Sequence, residues 1–274
     1  DLVCIDDDGI RITKSDTTPP NFEKGVIRVL EKADIDPARI DDFVHGTTVV
    51  INALLSRRGA KTGLITTRGF RDVLEIARGN RPDLFNFAFK KPAPFVPRYL
   101  RHEITERMDY LGRVVEPLAL DEVDSIVAAL KAEEVEAVAI CCLHAYVNPE
   151  HELAIEARVR ELWPDVSIIA SHKVCGEWRE YERTSTAVLS AYVHPIAKGY
   201  LASLDEKLTA RGLSGKPLIM RSNGGVATVE GARNDPISMV ESGPASGVLG
   251  AAALGVQIGE PNLIALDIGG TTAK

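Results

Sequence analysis

The 274-residue chain carries 32 Lys+Arg against 39 Asp+Glu, a formal net charge of 32 − 39 = −7, which argues against a general polyanion binder, because such surfaces work by neutralising phosphates with cations. Its 45% hydrophobic and 26% charged residues are a globular composition, and the length suits one large domain or two of average size. Cys4, Cys141, Cys142 and Cys175 show no CxxC spacing, so no zinc site or disulfide framework is signalled; no apolar run reaches the roughly 18 residues of a membrane span and no export signal opens the chain, so the expectation is a cytoplasmic protein with no nucleic-acid and no membrane partner.

Residues 2–5 and 10–14 read as two strands around Asp6-Asp7-Asp8-Gly9, a tight hairpin turn. The triple Asp lacks the alternating ligands and closing Glu of a calcium loop. Phe22, Val26, Val29, Leu30 and Ala33 follow helical spacing, and Phe43-Val44-His45 is a strand leading into Gly46-Thr47-Thr48. Thr48 is placed to cap a helix running through Leu55 that Gly59 ends, and 62–66 is a buried strand. Four prolines (Pro82, Pro92, Pro94, Pro97) make 78–101 a long loop. Val123, Ile126, Val127 and Leu130, with Asp121 as cap, predict a helix feeding the apolar strand 135–143. A helix carrying Ile155, Val159 and Leu162 precedes strand 166–170, and helical residues 179–210 are expected to break at Pro195. Strands at 217–221 and 262–267 flank a small-residue helix at 245–254. The alternation predicts an α/β fold, a mixed sheet with flanking helices.

The last strand ends in Asp267-Ile268-Gly269-Gly270-Thr271-Thr272. Glycines let backbone N–H groups approach phosphate oxygens, hydroxyls add donors, and an Asp at a strand end can hold a hydrated Mg²⁺. Gly269, Gly270, Thr271 and Thr272 are therefore candidate phosphate-binding residues, with Asp267 as both cofactor and metal candidate. Neither a Walker loop nor a GxGxxG fingerprint is present. A hairpin turn using the same glycines is the alternative.

Four stretches together carry a family resemblance: HGTTVVINALLSRRGAKTGLITTRGFRDVLEIARGNRPDLF (45–85), EWREYERTSTAVLSAYVHP (177–195), RSNGGVATVEGARNDPISMVESGPASGVLGAA (221–252) and LDIGGTTAK (266–274). The chain resembles the ATP-binding, A-type subunit of the hydantoinase/oxoprolinase family, within the actin, sugar-kinase and Hsp70 ATPase superfamily. The resemblance implies a ribonuclease-H-like lobe of a two-lobed ATPase, with ATP and Mg as cofactors. It places 1–260 in the first lobe, with family-specific insertions, and 261–274 at the start of the second. It also implies that a first phosphate loop would precede Asp1, that the chain is a piece of a longer subunit inactive by itself, and that a B-type subunit is its partner in a hetero-oligomer. The implied activity is ATP-dependent opening of a cyclic amide of the hydantoin or 5-oxoproline type through phosphoryl activation. The alternatives are a ketone carboxylase subunit using ketone plus bicarbonate, or a nucleotide-binding assembly module without turnover.

Other residues have a functional and a structural reading side by side. His45 sits at a strand end, where α/β sheets present loops to a cleft, and is a candidate acid/base group, with Thr47 and Thr48 as phosphate or substrate donors; the alternative is a strand-end histidine beside a helix cap. In the charge cluster Glu177, Arg179, Glu180, Glu182, Arg183, Glu180 is the candidate base against the reading of a charged helix face. Arg78, Arg81 and Asp83 are loop charges suited to a substrate, a partner or one another. Asn223, Gly224 and Gly225, with Ser242-Gly243-Pro244, are candidate cleft residues or ordinary turns. Cys141 and Cys142 with His144 and His151 have metal-like composition, but neighbours on a strand face opposite ways.

Overall fold

The computed structural model describes residues 1–79 and 83–268. The chain divides into two compact units, one made of 1–52 with 196–274 and one of the continuous stretch 53–195.

The first segment opens with β1 (Leu2–Asp6) and β2 (Gly9–Thr13), an antiparallel hairpin whose Asp6↔Gly9 pairing leaves Asp7-Asp8 as the loop. Among the described residues these strands pair only with each other, and Val3, Ile5, Ile10 and Ile12 are exposed. Helix α1 (Phe22–Lys32) buries Ile27, Val29 and Leu30, and β3 (Val44–His45) leads into α2 (Val49–Leu55). The hydroxyl that meets the start of α2 is that of Thr47, which accepts from Val49 N–H at 3.2 Å, whereas Thr48 Oγ accepts from Asn52 Nδ2. The helix stops at Leu55, before Gly59, and Arg57 turns into the left-handed region at φ 51°.

The 53–195 unit contains β4 (Thr62–Thr67), α3 (Val73–Ile76), β5 (Arg101–Ile104), β6 (Arg107–Met108), β7 (Val114–Glu116), α4 (Glu122–Ala132), β8 (Ala137–Cys141), α5 (Glu150–Leu162), β9 (Ser167–Ala170) and α6 (Ser171–Val174). β5-β4-β8-β9 is a four-stranded sheet with every pairing parallel. All of β4 and β8 is buried, which explains why they read as unbroken apolar or small-residue runs rather than alternating ones. Gly63 lies where a Cβ would come within 2.5 Å of Leu130 Cδ2, so α4 packs directly on the β4 backbone. Asp121 is at φ −64°, ψ −26° and makes no side-chain cap bond. Instead Glu122 turns back to accept from Thr105 N–H and Thr105 Oγ, each at 2.8 Å. Strands β5 to β7 fall partly within the predicted proline-rich loop and partly after it; their two to four residues are too short to show a period.

Helix α7 (Glu180–Ala210) runs unbroken through Pro195. Proline removes one backbone donor, but Ala187, Val188, Ala191 and Val193 before it and Ala197, Leu201, Leu204 and Leu208 after it are buried, and packing on both sides outweighs one missing bond. The chain then returns to the first unit with β10 (Leu218–Met220), β11 (Val226–Thr228), α8 (Val229–Asn234) and α9 (Ser242–Ile258). β10 pairs parallel with β3 and antiparallel with β11, a mixed three-stranded sheet, and Ile27, Leu30, Phe43, Leu204 and Leu208 form a core in this unit. The α/β class is as the alternation predicted.

Residues 262–267, expected as a strand, have no ladder partner among the described residues, and Ile264, Leu266 and Ile268 are exposed. An apolar run becomes a strand only where a neighbour supplies the ladder. Among the described residues no helix is long and apolar enough to cross a membrane.

Candidate functional site

Because β3 and β10 are parallel, their carboxyl ends share one edge, and three of the motifs meet there. His45 closes β3; its Nε2 is 2.6 Å from Tyr200 Oη, and its ring stacks on Phe43 at 6.4 Å between centroids. Burial pulls the imidazole down to about 4 and pushes the Tyr200 phenol up to about 12, although a Thr47 hydrogen bond opposes the latter. At neutral pH the pair is a neutral imidazole and a neutral phenol, so His45 is an acceptor or base there and not a cation. Thr47 is buried, and its carbonyl accepts from Ser242 Oγ at 3.2 Å; Thr48 is exposed.

Asn223, Gly224 and Gly225 form the β10–β11 turn: Arg221 N–H donates to Gly225 O, Gly224 N–H to Arg221 O, and Gly225 N–H to Asn223 Oδ1. Gly224 has φ +82°, and a Cβ there would stand 2.3 Å from Leu249 Cδ1 of α9. Both constraints act on one residue, so Gly224→Ala is expected to destabilise the protein by about 1–3 kcal/mol, measured as a lowered urea midpoint at unchanged m-value. A loss below about 0.5 kcal/mol would show that the turn re-forms freely. Ser222 Oγ accepts from Glu241 N–H at 3.1 Å and so ties the turn to the entry of α9. The first turn of α9, Ser242-Gly243-Pro244, bears small side chains at a helix N-terminus, where anions are favoured.

Three residues at this edge had no signal in the sequence. Tyr200 lies 155 residues from His45. Arg221 and Asp235 form an ion pair at 3.1 Å in which Arg221 Nε and Asp235 Oδ1 are buried and unpaired, and burial raises the Asp235 carboxyl. Asp267 is exposed. Gly269, Gly270, Thr271 and Thr272 lie outside the described residues, as does Arg81.

Glu180 belongs to the other unit. It is the exposed first residue of α7, and its carbonyl accepts from Thr184 Oγ at 2.6 Å. Nearby, Glu182 accepts from Arg78 Nε at 2.6 Å, so Arg78 pairs with the start of α7 rather than with a charge of its own loop. In this unit the buried polar groups collect instead at the carboxyl edge of the parallel sheet. Glu106, 1% exposed, bonds Thr67 Oγ and His151 Nδ1. Glu152, fully buried, accepts from Cys142 N–H at 2.8 Å, Ser171 Oγ at 2.5 Å and His172 N–H at 3.0 Å, and meets His172 Nδ1 at 2.7 Å. Arg183 donates to Cys142 O at 2.9 Å and to Ser171 Oγ, and its Nη2 is 3.7 Å from Glu152. Burial raises both the Cys141 and Cys142 thiols, which leaves them unreactive. Among the described residues no three His, Cys, Asp or Glu side chains are grouped to hold a metal.

Two family matches divide the chain: residues 1–163 match the hydantoinase/oxoprolinase N-terminal region and 183–274 match hydantoinase/oxoprolinase. An uncharacterised protein of Methanocaldococcus jannaschii is 37% identical over all of this chain, and the caprolactamase subunit alpha of Pseudomonas jessenii is 32% identical over 99% of it. A nucleotide-free structure of acetone carboxylase, from work on ATP-dependent acetone carboxylation, superposes with a TM-score of 0.85 at 27% identity over 95% of this chain. The chain spans 41% of the length of each of the two relatives and 39% of the acetone carboxylase chain. With the two matches together spanning most of its length, the chain belongs to the hydantoinase/oxoprolinase family.

Proposed function

We propose that this chain is part of an ATP-dependent subunit that opens a cyclic amide, with the carboxyl edge of β3 and β10 as the face that handles substrate or phosphate. The observation carrying this reading is the convergence of His45-Gly46-Thr47, the Asn223-Gly224-Gly225 turn and the first turn of α9 on one edge, together with the caprolactamase likeness. His45 acts as a neutral acceptor or base held by Tyr200; Thr47, Thr48 and the 223–225 turn line the cleft. Residues 267–272 form the phosphate loop that begins the second lobe of the ATPase fold at 261. Asp267, an exposed carboxylate, fits a ligand of hydrated Mg²⁺. Bound ATP supplies a phosphoryl group that turns an unreactive amide oxygen into a leaving group. Glu180 is the proposed base on the other unit, and a B-type subunit completes the enzyme.

The acetone carboxylase likeness supports a second reading, ketone plus bicarbonate as substrates. ATP turnover by the full-length subunit with its partner, compared across hydantoin, 5-oxoproline, a lactam and ketone plus bicarbonate, separates the two. Stimulation by a cyclic amide, lost in Asp267→Ala, is the expected result; stimulation by ketone plus bicarbonate selects the second reading. Turnover indifferent to Asp267 would remove the phosphate loop from the mechanism.

A further inference from the structure

The 53–195 unit contains a cavity of about 350 Å³ between the proline-rich stretch around residues 89–95 and one face of α7, within the size range of small-molecule sites. Its walls are mainly apolar, with Leu74, Phe89, Phe95 and Leu189 among them. Phe95 is held rigidly: Tyr192 meets it edge-on at 4.9 Å between centroids, and the Arg57 guanidinium lies 4.5 Å above its ring. Arg57 is fixed from two further directions, by its left-handed backbone at φ 51° and by Nη2 donating to Ala93 O at 2.7 Å.

The side-chain polar groups of the wall are mainly donors. Arg57, which is exposed, and the half-buried Tyr181 and Ser185 bring donors to the wall, and Tyr181, Ser185 and Leu189 recur at four-residue spacing along one face of α7. The charge balance points the same way. Among the described residues Glu75 is the one carboxylate in the wall and is engaged at 2.8 Å by Arg101, whose side chain is fully buried, whereas Arg57 is paired with no described carboxylate. Lys91 adds a second cation, donating to the carbonyls of Glu75 and Ile76.

We propose that this cavity binds a compact apolar carboxylate, its body against Phe95, Leu74 and Leu189 and its oxygens on Arg57 and Ser185. The inference is independent of the phosphate loop and of the β3–β10 edge. The ligand is either a ring-opened acid made by the enzyme or a separate effector acid, and both share the chemistry that the wall recognises.

Benzoate titrated calorimetrically into the full-length protein without nucleotide tests it, with benzamide as the neutral isostere and Asp267→Ala as a background that removes the proposed ATPase function. Saturable benzoate binding is expected in both backgrounds, with benzamide about tenfold weaker or worse. Arg57→Gln should weaken benzoate by about tenfold while leaving benzamide unchanged, and Leu189→Trp, which fills the cavity, should abolish both. If the tryptophan variant does not fold, Ser185→Ala, which removes only the hydroxyl, serves in its place and should weaken benzoate severalfold while leaving the cavity open. Absence of saturable benzoate binding, or binding equal in wild type, Arg57→Gln and the cavity variant, overturns the proposal. Displacement of benzoate by the acid that the enzyme's own turnover releases identifies the product-acid source, which rests on the proposed function, and a change in turnover rate on adding benzoate without such displacement identifies the effector.

Discussion

Arg183→Met should destabilise the protein by about 3–5 kcal/mol, the range found when one member of a buried ion pair is removed. Arg183 is 1% exposed and Glu152 fully buried. Without the guanidinium, the Glu152 carboxylate keeps its backbone and Ser171 donors but loses the cation at 3.7 Å, and Cys142 O and Ser171 Oγ lose their donors. Methionine matches only the aliphatic stem, so the loss combines the missing charge and hydrogen bonds with the volume the guanidinium vacates. Arg183→Lys should recover only part of it, because one ammonium cannot reproduce the fork that reaches both Cys142 O and Ser171. The measurement is the urea midpoint and m-value of each variant. A loss below about 1 kcal/mol for Arg183→Met would mean that the carboxylate is satisfied by its neutral donors alone.

Stability should fall on acidification through a window to which His45 contributes. Its ordinary value is 6.5, and burial lowers it to about 4 in the folded protein. Between these values the unfolded chain binds the proton and the folded one does not, so stability rises with pH across the window. The contribution is complete above 6.5, is lost progressively as pH falls from 6.5 toward 4, and changes no further below that. A gap of 6.5 to about 4 at roughly 1.4 kcal/mol per pH unit amounts to about 3 kcal/mol. His45→Gln, which cannot titrate, should flatten the stability curve between pH 4 and 6.5 relative to wild type. Parallel curves for the two proteins would show that His45 takes up its proton equally in both states.

What was readable from the sequence follows from which interactions are local. Val123, Ile126, Val127 and Leu130 declare a helix through their own spacing, and β4 and β8 announce burial through uninterrupted runs. The Asp6–Gly9 turn carries its geometry in four residues. By contrast, the break expected at Pro195 weighed a local rule without the buried side chains flanking it, and the strand expected at 262–267 was read from apolar content that fixes no ladder partner. At the candidate edge the motif residues His45, Thr47 and Asn223 could be picked out one by one, but their meeting depends on β3 lying beside β10. Tyr200, Arg221 with Asp235, and the Glu152–Arg183 pair escaped because each matters through a partner or an environment that only the fold supplies.

The two-part make-up of the first unit sets an order on synthesis. Leu218, which pairs with Val44, follows it by 218 − 44 = 174 residues. At about 5–20 residues per second, roughly 10–35 s of translation separate β3 from its partner. All of the 53–195 stretch is made in that interval and contains its entire parallel sheet, so it can close its core while the first 52 residues still wait. During that wait Val3, Ile5, Ile10 and Ile12, which β1 and β2 leave exposed here, are open to chaperones and to unwanted strand pairing.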